Sequence, residues 1–328
     1  MSSLSDKRVL ITGGAGFIGS HIVDQLAEEG CRDIVVVDNM VRGRPENLAD
    51  SQHAVRLVEA DIRDRGLMEQ LISRAEIVFH QAALRITHCA ADPRLAMDVM
   101  ADATFDILEL CAKCRVQKVI AASSASIYGM ADAFPTSEQH HAYNNRTLYG
   151  ALKAFNEGLL RSFNEMYGLP YIALRYFNVY GPRMDIHGKY TEVLIRWMER
   201  IEMGMRPVIF GDGLQTMDFI DVRDVARANI LAAKSAASDM VFNVGSGTET
   251  SLIGLSKLLV RTMRREPLAQ EFAGERKVNP VGRRVADISS ARDVLGFETA
   301  IPLEQGLADL IAWWRRERRP AQATEAVA

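Results

Sequence analysis

Tyr149 and Lys153 stand four residues apart in Tyr149-Gly150-Ala151-Leu152-Lys153. On one face of a helix over 146–167, that spacing lets a phenol and an ammonium address the same region of a ligand. A free tyrosine ionises near about 10, too high for a base at neutral pH. A neighbouring ammonium favours phenolate, and lowering the value by about 3 units takes roughly 4 kcal/mol of differential stabilisation. Tyr-x-x-x-Lys recurs by chance, so a second signal matters: Ser123-Ser124-Ala125-Ser126 follows the apolar run 118–122. As the end of a strand, these hydroxyls stand at the carboxyl edge of a sheet, where open α/β sheets hold ligands. Ser124 can then hydrogen-bond a substrate hydroxyl that the phenolate deprotonates. Ser123 and Ser126 read as turn caps.

Such chemistry needs an electron carrier, and the N-terminal segment offers a place for one. An apolar strand from Val9 runs into Thr12-Gly13-Gly14-Ala15-Gly16-Phe17-Ile18-Gly19 and then a helical pattern. Gly14-x-Gly16-x-x-Gly19 fits the dinucleotide fingerprint, and Gly13-x-x-Gly16-x-x-Gly19 fits a wider spacing of it. Glycines there allow the tight turn, let backbone N–H groups approach a pyrophosphate and seat it on a helix N-terminus. The run from Ile34 to Val37 reads as the second strand and ends in Asp38, nineteen residues after Gly19. A carboxylate at that point accepts hydrogen bonds from the adenosine ribose diol and repels a 2′-phosphate. It favours NAD over NADP, with Arg42 and Arg44 weighing the other way.

The chain has 328 residues, 48% hydrophobic and 25% charged, enough for a large α/β domain with a smaller lobe. A net charge of -3 and a pI near 6.2 give no basic field for nucleic acid. Residues 1–8 lack an apolar signal core and no window has the length to cross a bilayer, so a cytoplasmic location is expected. Cys31, Cys89, Cys111 and Cys114 do not form a disulfide framework and read as reduced thiols. The histidines, His140-His141 included, lack metal-ligand spacing, and no metal is expected. Trp313-Trp314 with Arg315, Arg316, Arg318 and Arg319 reads as a C-terminal helix with one apolar face.

Strand-like runs at 55–58, 76–80, 118–122 and 171–174 alternate with helical patterns. That alternation predicts a Rossmann-like, doubly wound parallel sheet of the α/β class. Beyond Gly181-Pro182 it stops. A helix over 190–203, a strand at 208–210, a helix at 222–234, a strand at 241–244 and helices at 252–264 and 303–318 follow. The expected organisation is a dinucleotide-binding domain at 1–177 and a smaller α/β substrate lobe at 178–328, with about 207–245 returning to the first domain. The tail after Pro320 is small and polar.

Thr12 to Gly19, Asp38, Asp61-Ile62, Ala82-Ala83, Ser124, Tyr149 with Lys153, and Arg175-Tyr176-Phe177-Asn178 resemble the extended short-chain dehydrogenase/reductases. Within them the resemblance is to the NAD-dependent nucleotide-sugar epimerase/dehydratase family, UDP-glucose 4-epimerase-like, over about residues 7–314. It implies an NAD site of Gly13, Gly16, Phe17, Ile18, Gly19, Asp38, Asn39, Asp61, Ile62, Ala82, Ala83, Arg85, Tyr149, Lys153 and Tyr176. Asp61-Ile62 would meet adenine, Ala82-Ala83 would line the cofactor and Arg85 would touch its ribose or phosphates. A catalytic set of Ser124, Tyr149 and Lys153 is implied, with substrate contacts from Thr87, Ser124, Ser126, Tyr149, Asn178, Arg183, Phe219 and Arg283. Tyr149 would take the proton of a sugar hydroxyl at C4 while NAD+ takes the hydride from the same carbon. If the ketose turns before hydride returns, the hydroxyl is inverted and NAD ends as it began. The resemblance also implies a homodimer through helices around 93–113 and 146–167.

Several positions depart from the family pattern. Dehydratases and decarboxylases carry acids just after the Ser124 position, where this chain has Ala125 and Ser126. Reductases usually consume NADPH, which Asp38 disfavours. The expected activity is therefore NAD-dependent inversion of C4 in a nucleotide-linked sugar, a UDP-hexose first. A dehydrogenase, 4-ketose reductase or decarboxylase/dehydratase is the alternative, and a non-catalytic NAD-binding sensor a third. Met217 in Gln215-Thr216-Met217-Asp218-Phe219 replaces the arginine that holds the substrate diphosphate, a contact worth roughly 1.5 to 3 kcal/mol. Arg183, Lys189, Arg283 or Arg284 would take over, or the substrate is held differently. Met100 replaces an asparagine behind the catalytic strand, and His88 faces either substrate or solvent.

Overall fold

The computed structural model describes residues 3–186, 192–274 and 281–318. The apolar runs form strands β1 (Arg8–Thr12), β2 (Asp33–Asp38), β3 (Val55–Glu59), β4 (Ile77–His80), β5 (Lys118–Ser124) and β6 (Tyr171–Tyr176). With the strand Met240–Val244 they make one seven-stranded sheet, ordered Met240–Val244, β6, β5, β4, β1, β2, β3. Every pairing in it is parallel. The chain leaves β1 toward β2 and β3, then returns to β4 on the other side of β1. The crevice at the carboxyl ends of β1 and β4 is therefore the topological switch point, where such sheets bind ligands. β4 and β6 are buried along their whole length, as expected for strands covered on both faces.

Helices Phe17–Glu28 and Val222–Lys234 bury Ile22, Val23, Leu26, Val225, Ala226 and Ala228 against one face. Helices Arg65–Ile72, Ala103–Lys113 and Leu148–Tyr167 cover the other through residues such as Met68, Ile107 and Leu160. The helix Leu148–Tyr167 starts just inside the expected 146–167 span because Thr147 caps it, its side chain accepting from the Gly150 N–H at 3.1 Å. Gly168, left-handed at φ 65°, ends it.

The segment 93–113 is helical throughout, as expected, but not uniformly α-helical. Pro93–Met97 and Ala103–Lys113 are joined by a widened turn over Asp98–Asp102. Met100 sits inside that turn, buried with Cys89, Ala96 and Leu152, and its sulfur accepts from the Cys89 thiol at 3.6 Å. An apolar, sulfur-lined contact beneath the catalytic helix thus occupies the place where an amide was expected.

A second core joins helices Val193–Glu202, Leu252–Thr262 and Leu303–Glu317 through Trp197, Met198, Leu255, Leu259, Leu310 and Trp314. The helix expected from 190 begins at Val193; Lys189, Tyr190, Arg319 and the tail after Pro320 lie outside the described residues. Val208–Phe210 pairs with Glu271–Ala273 beside this second core. Met240–Val244 belongs to the large sheet, and helix Val222–Lys234 packs in its core with Ala291, Leu295 and Phe297 from farther along the chain. The C-terminal helix packs Trp314 inward, stacks Arg318 over its ring and pairs Arg315 with Glu202, so its arginines are used within the fold.

Candidate active site

The switch-point crevice opens into a cavity of about 1170 Å³ that runs between the sheet and the second core. Its dinucleotide half starts at the glycine turn. Gly13 adopts φ +69°, and a Cβ there would lie 2.9 Å from the Ala82 backbone; one on Gly19 would lie 2.3 Å from the Gly13 carbonyl oxygen. No larger residue fits either place without moving backbone. Gly16, at the N-cap of helix Phe17–Glu28, supplies no side-chain cap, and no acid occupies the first turn. The first N–H groups of this helix are left for an anionic ligand, as a pyrophosphate requires.

Asp38, buried at the end of β2, accepts from the Ala15 N–H at 3.1 Å and the Met40 N–H at 3.0 Å. Burial pushes its carboxyl up and these backbone donors oppose the rise. Arg42 pairs with Asp185 at 3.4 Å, and Arg44 with Glu46 and Glu317 at 3.8 Å each, so both nearby cations are engaged by other acids. Asn39 donates to Asp61 at 3.0 Å, and Arg63 grips Asp61 with two bonds of 2.9 Å that bring its carboxyl down to about 2. Phe17, Ile18, Ile62, Ala82, Ala83 and Arg85 line the same cavity. Asp185 lies between two guanidiniums, with Arg85 at 3.7 Å as well as Arg42. Tyr176 lines the floor while its hydroxyl reaches Gln81 and Asn229 at 3.0 Å each. The glycine cradle, the uncapped helix and Asp38 fit a dinucleotide with an unphosphorylated ribose.

The chemical half lies where β5 ends. Ser124 caps the short turn Ala125–Tyr128, its Oγ accepting from the Ser126 N–H at 3.1 Å. Tyr149 lies nearby, and both side chains line the cavity. Lys153 lies 5.9 Å from the centre of the Tyr149 ring and donates to the Ala122 carbonyl at 2.6 Å. The expected pull of the lysine on the phenol is not the dominant effect. Burial pushes Tyr149 up, with Ser124 and Arg284 opposing, and burial brings Lys153 itself down to about 8. The positive nicotinamide ring of a bound NAD+ is the further charge that would favour phenolate.

Ser123 is structural: its Oγ donates to Glu157 at 2.5 Å, within a buried network that includes Arg175. Ser126, Thr87, Asn178, Arg183, Met217 and Phe219 line the cavity; His88 is not among the lining residues. Asn178 is fixed by two bonds to the Asp218 carbonyl, 3.1 Å from its backbone N–H and 3.0 Å from its side chain. The Arg183 guanidinium is engaged by Asp24 at 2.6 Å and Asp50 at 3.3 Å.

Arg283 corrects the expected substrate set. It is exposed, pairs with Glu249 at 2.6 Å and stacks 4.6 Å from the centre of the Phe134 ring, outside the cavity. Its neighbour Arg284 lines the cavity instead. The two form a short strand, and successive strand residues face opposite ways, so of the two arginines the sequence offered it is Arg284 that faces the cavity. Arg284 pairs in register with Met217. Asp218 anchors this region, its carboxylate accepting from Ser246, Gly247 and the Ala286 N–H, the last at 3.1 Å. Gln81 and Glu192 are further lining residues that no motif announced. Asp132, His140 and His141 bring their ligand atoms within 4.8 Å of one another on the exposed loop before the catalytic helix.

A doubly wound sheet with a dinucleotide cradle at its switch point, facing a serine, tyrosine and lysine cluster, defines an enzyme that moves a proton and a hydride at a carbinol carbon. Residues 9–245 match the NAD dependent epimerase/dehydratase family. The chain belongs to that family, and its cofactor is NAD. It is 35% identical over 315 residues to the UDP-glucose 4-epimerase of Mycolicibacterium smegmatis, covering 94% of this chain and 99% of that one. Among solved structures it resembles the UDP-N-acetylglucosamine 4-epimerase from Methanobrevibacter ruminantium M1 in complex with UDP-N-acetylmuramic acid. There the TM-score is 0.90 at 34% identity, over 95% of this chain and 99% of the other. The UDP-glucose 4-epimerase of Thermotoga maritima with UDP-glucose gives 0.88 at 36% identity, over 94% and 99%. No described helix is long and apolar enough to cross a membrane.

Proposed function

We propose that this chain inverts C4 of a UDP-linked hexose, with Ser124, Tyr149 and Lys153 as its catalytic set. Its class, an NAD-dependent nucleotide-sugar epimerase, follows from the family and its relatives. The observation that carries the finer reading is that Ser124, Tyr149 and Lys153 line the same cavity as the glycine turn, with Lys153 5.9 Å from the centre of the Tyr149 ring.

Tyr149 takes the proton of the C4 hydroxyl, and Ser124 orients that hydroxyl and the phenol. Bound NAD supplies the reversible acceptor for the C4 hydrogen and its electron pair. Once the ketose has turned over in the cavity, Tyr149 returns the proton to the C4 oxygen now on the opposite face. Every atom removed is restored, so no outside reductant is consumed. Ala125 and Ser126 place no carboxylate beside the ring to shift a second proton, which favours epimerisation over dehydration or decarboxylation.

Incubating the NAD-loaded protein with UDP-glucose, UDP-galactose, UDP-glucuronate and the dTDP and GDP counterparts of the neutral sugars, and following C4 stereochemistry by NMR, tests the reading. C4 exchange with at least one UDP-sugar is expected. No exchange with any of them sinks it.

The proposal includes a homodimer. Phe105, Phe155 and Met166 are exposed on the helices Ala103–Lys113 and Leu148–Tyr167, and their burial against a second copy would complete a four-helix bundle. Light scattering at micromolar concentration decides this, a monomer removing it. Residence in the cytoplasm belongs to the same proposal and is supported by the free cysteines Cys31, Cys89, Cys111 and Cys114.

A further inference from the structure

Among the described residues, the cavity contains a cation without a matching acid. The Nη2 of Arg284 is buried and has no hydrogen-bond partner among the described residues. Other guanidiniums of the lining are matched: Arg42 and Arg85 by Asp185, Arg183 by Asp24, Arg200 by Glu271. The backbone of Arg284 is held by pairing of its strand with Thr216–Met217 and by the bond from Ala286, two residues on, to Asp218, and its guanidinium is buried. A guanidinium buried in a cavity and left unpaired is costly, and the cost is recovered when a ligand brings the anion.

The position of this charge narrows the choice of anion. Its field falls on Tyr149, the group that must touch the C4 hydroxyl. C4 is flanked by C3, which carries a hydroxyl in hexose and uronic acid alike, and by C5, whose substituent differs in charge between them. In a neutral hexose it is a hydroxymethyl group, which leaves the guanidinium without a counter-charge; in a uronic acid it is a carboxylate, which matches the planar fork of an arginine with two parallel bonds.

We propose that Arg284 binds a carboxylate on the sugar, so that the preferred substrate is a nucleotide-linked uronic acid. This rests on the C4-epimerase reading and adds the class of sugar to it. Arg284 is a specificity-determining residue. It holds the ring so that C4 meets Tyr149, and it takes no part in moving the proton.

The test compares UDP-glucuronate with UDP-glucose on NAD-loaded protein, as wild type, Arg284→Lys and Arg284→Met, with C4 inversion followed by NMR and binding by calorimetry. For wild type, kcat/KM is expected to be about 10-fold or more higher with UDP-glucuronate. Arg284→Met should lower the uronate value by about 100-fold and the neutral value by less than about 10-fold, with Arg284→Lys between them. An equal loss on both sugars overturns the proposal, because the guanidinium then serves the diphosphate that both share. Preference of the wild type for UDP-glucose overturns it too. Failure of both sugars to undergo C4 inversion counts against the epimerase reading instead. In that case the binding data still decide Arg284, since equal affinity of wild type for the two nucleotide-sugars overturns its assignment.

Discussion

Arg175 grips both oxygens of Glu157, 2.9 Å from Nε to Oε1 and 2.6 Å from Nη2 to Oε2, and so fastens β6 to the middle of the catalytic helix. The same guanidinium donates to the Tyr128 hydroxyl at 2.8 Å and the Glu138 carbonyl at 3.0 Å, and Tyr128 donates to Asn243 at 2.6 Å. Ser123 completes the set at Glu157. Four parts of the chain that flank the chemistry are thereby held to one buried ion pair.

Glu157→Ala should therefore destabilise the protein by about 3 to 5 kcal/mol, because it leaves a buried guanidinium without its anion. Urea unfolding of the two proteins at one pH measures this. A loss below about 1 kcal/mol would mean that water or Glu138 replaces the carboxylate.

Tyr149→Phe should lower kcat by about 100-fold to 10000-fold, the range of a positioned acid or base, and leave NAD binding nearly unchanged. Ser124→Ala should cost less, since Tyr149 keeps its place on the helix. Comparable losses of NAD affinity in either variant would show that the substitution disturbs the cavity and not the proton transfer.

Replacement of Asp38 by alanine should weaken NAD binding by roughly 10-fold, the loss of a charge-assisted hydrogen bond, and should reduce the discrimination against NADP. Calorimetry on protein freed of dinucleotide gives both constants. Unchanged discrimination would assign the choice to Arg42 and Arg44.

Acid should unfold this chain early. Burial brings His80 down to about 3 and His21 to about 4, from an ordinary value of 6.5. Between those limits the unfolded chain binds more protons than the folded one, so their contribution is complete above 6.5 and is lost as pH falls toward 4 and then 3. The slope approaches about 1.4 kcal/mol per pH unit for each ring. Urea midpoints at pH 7.5, 6 and 5 should fall accordingly. His80 rests between Thr12 at 2.8 Å and Thr104 at 3.1 Å, and His80→Gln should flatten the dependence.

The parts of the site that sequence reading reached are those in which one local element carries the whole message. Strand, glycine turn and helix are contiguous from Val9 to Glu28, Asp38 ends the next strand, and Tyr149 and Lys153 share one helix. The parts it missed depend on register between distant segments. Arg283 and Arg284 differ only in which face of a two-residue strand they occupy, and that is set by pairing with Thr216–Met217 and by Asp218. Ser123 and Ser124 are similarly alike in sequence, and only the packing of Glu157 beneath β5 separates a structural hydroxyl from one beside the phenol. The widened turn at Asp98–Asp102 had no proline or glycine to announce it.

Asp185 belongs to the segment that leads from the sheet into the second core, yet its carboxylate faces Arg42 beyond β2 and Arg85 beyond β4. One side chain thus clasps both banks of the crevice. A dinucleotide bound in the crevice beneath it would have to open these ion pairs to leave, and slow release is the expected outcome. Asp185→Ala should shed NAD during gel filtration while the wild type emerges with it, read from the absorbance ratio of the eluted peak.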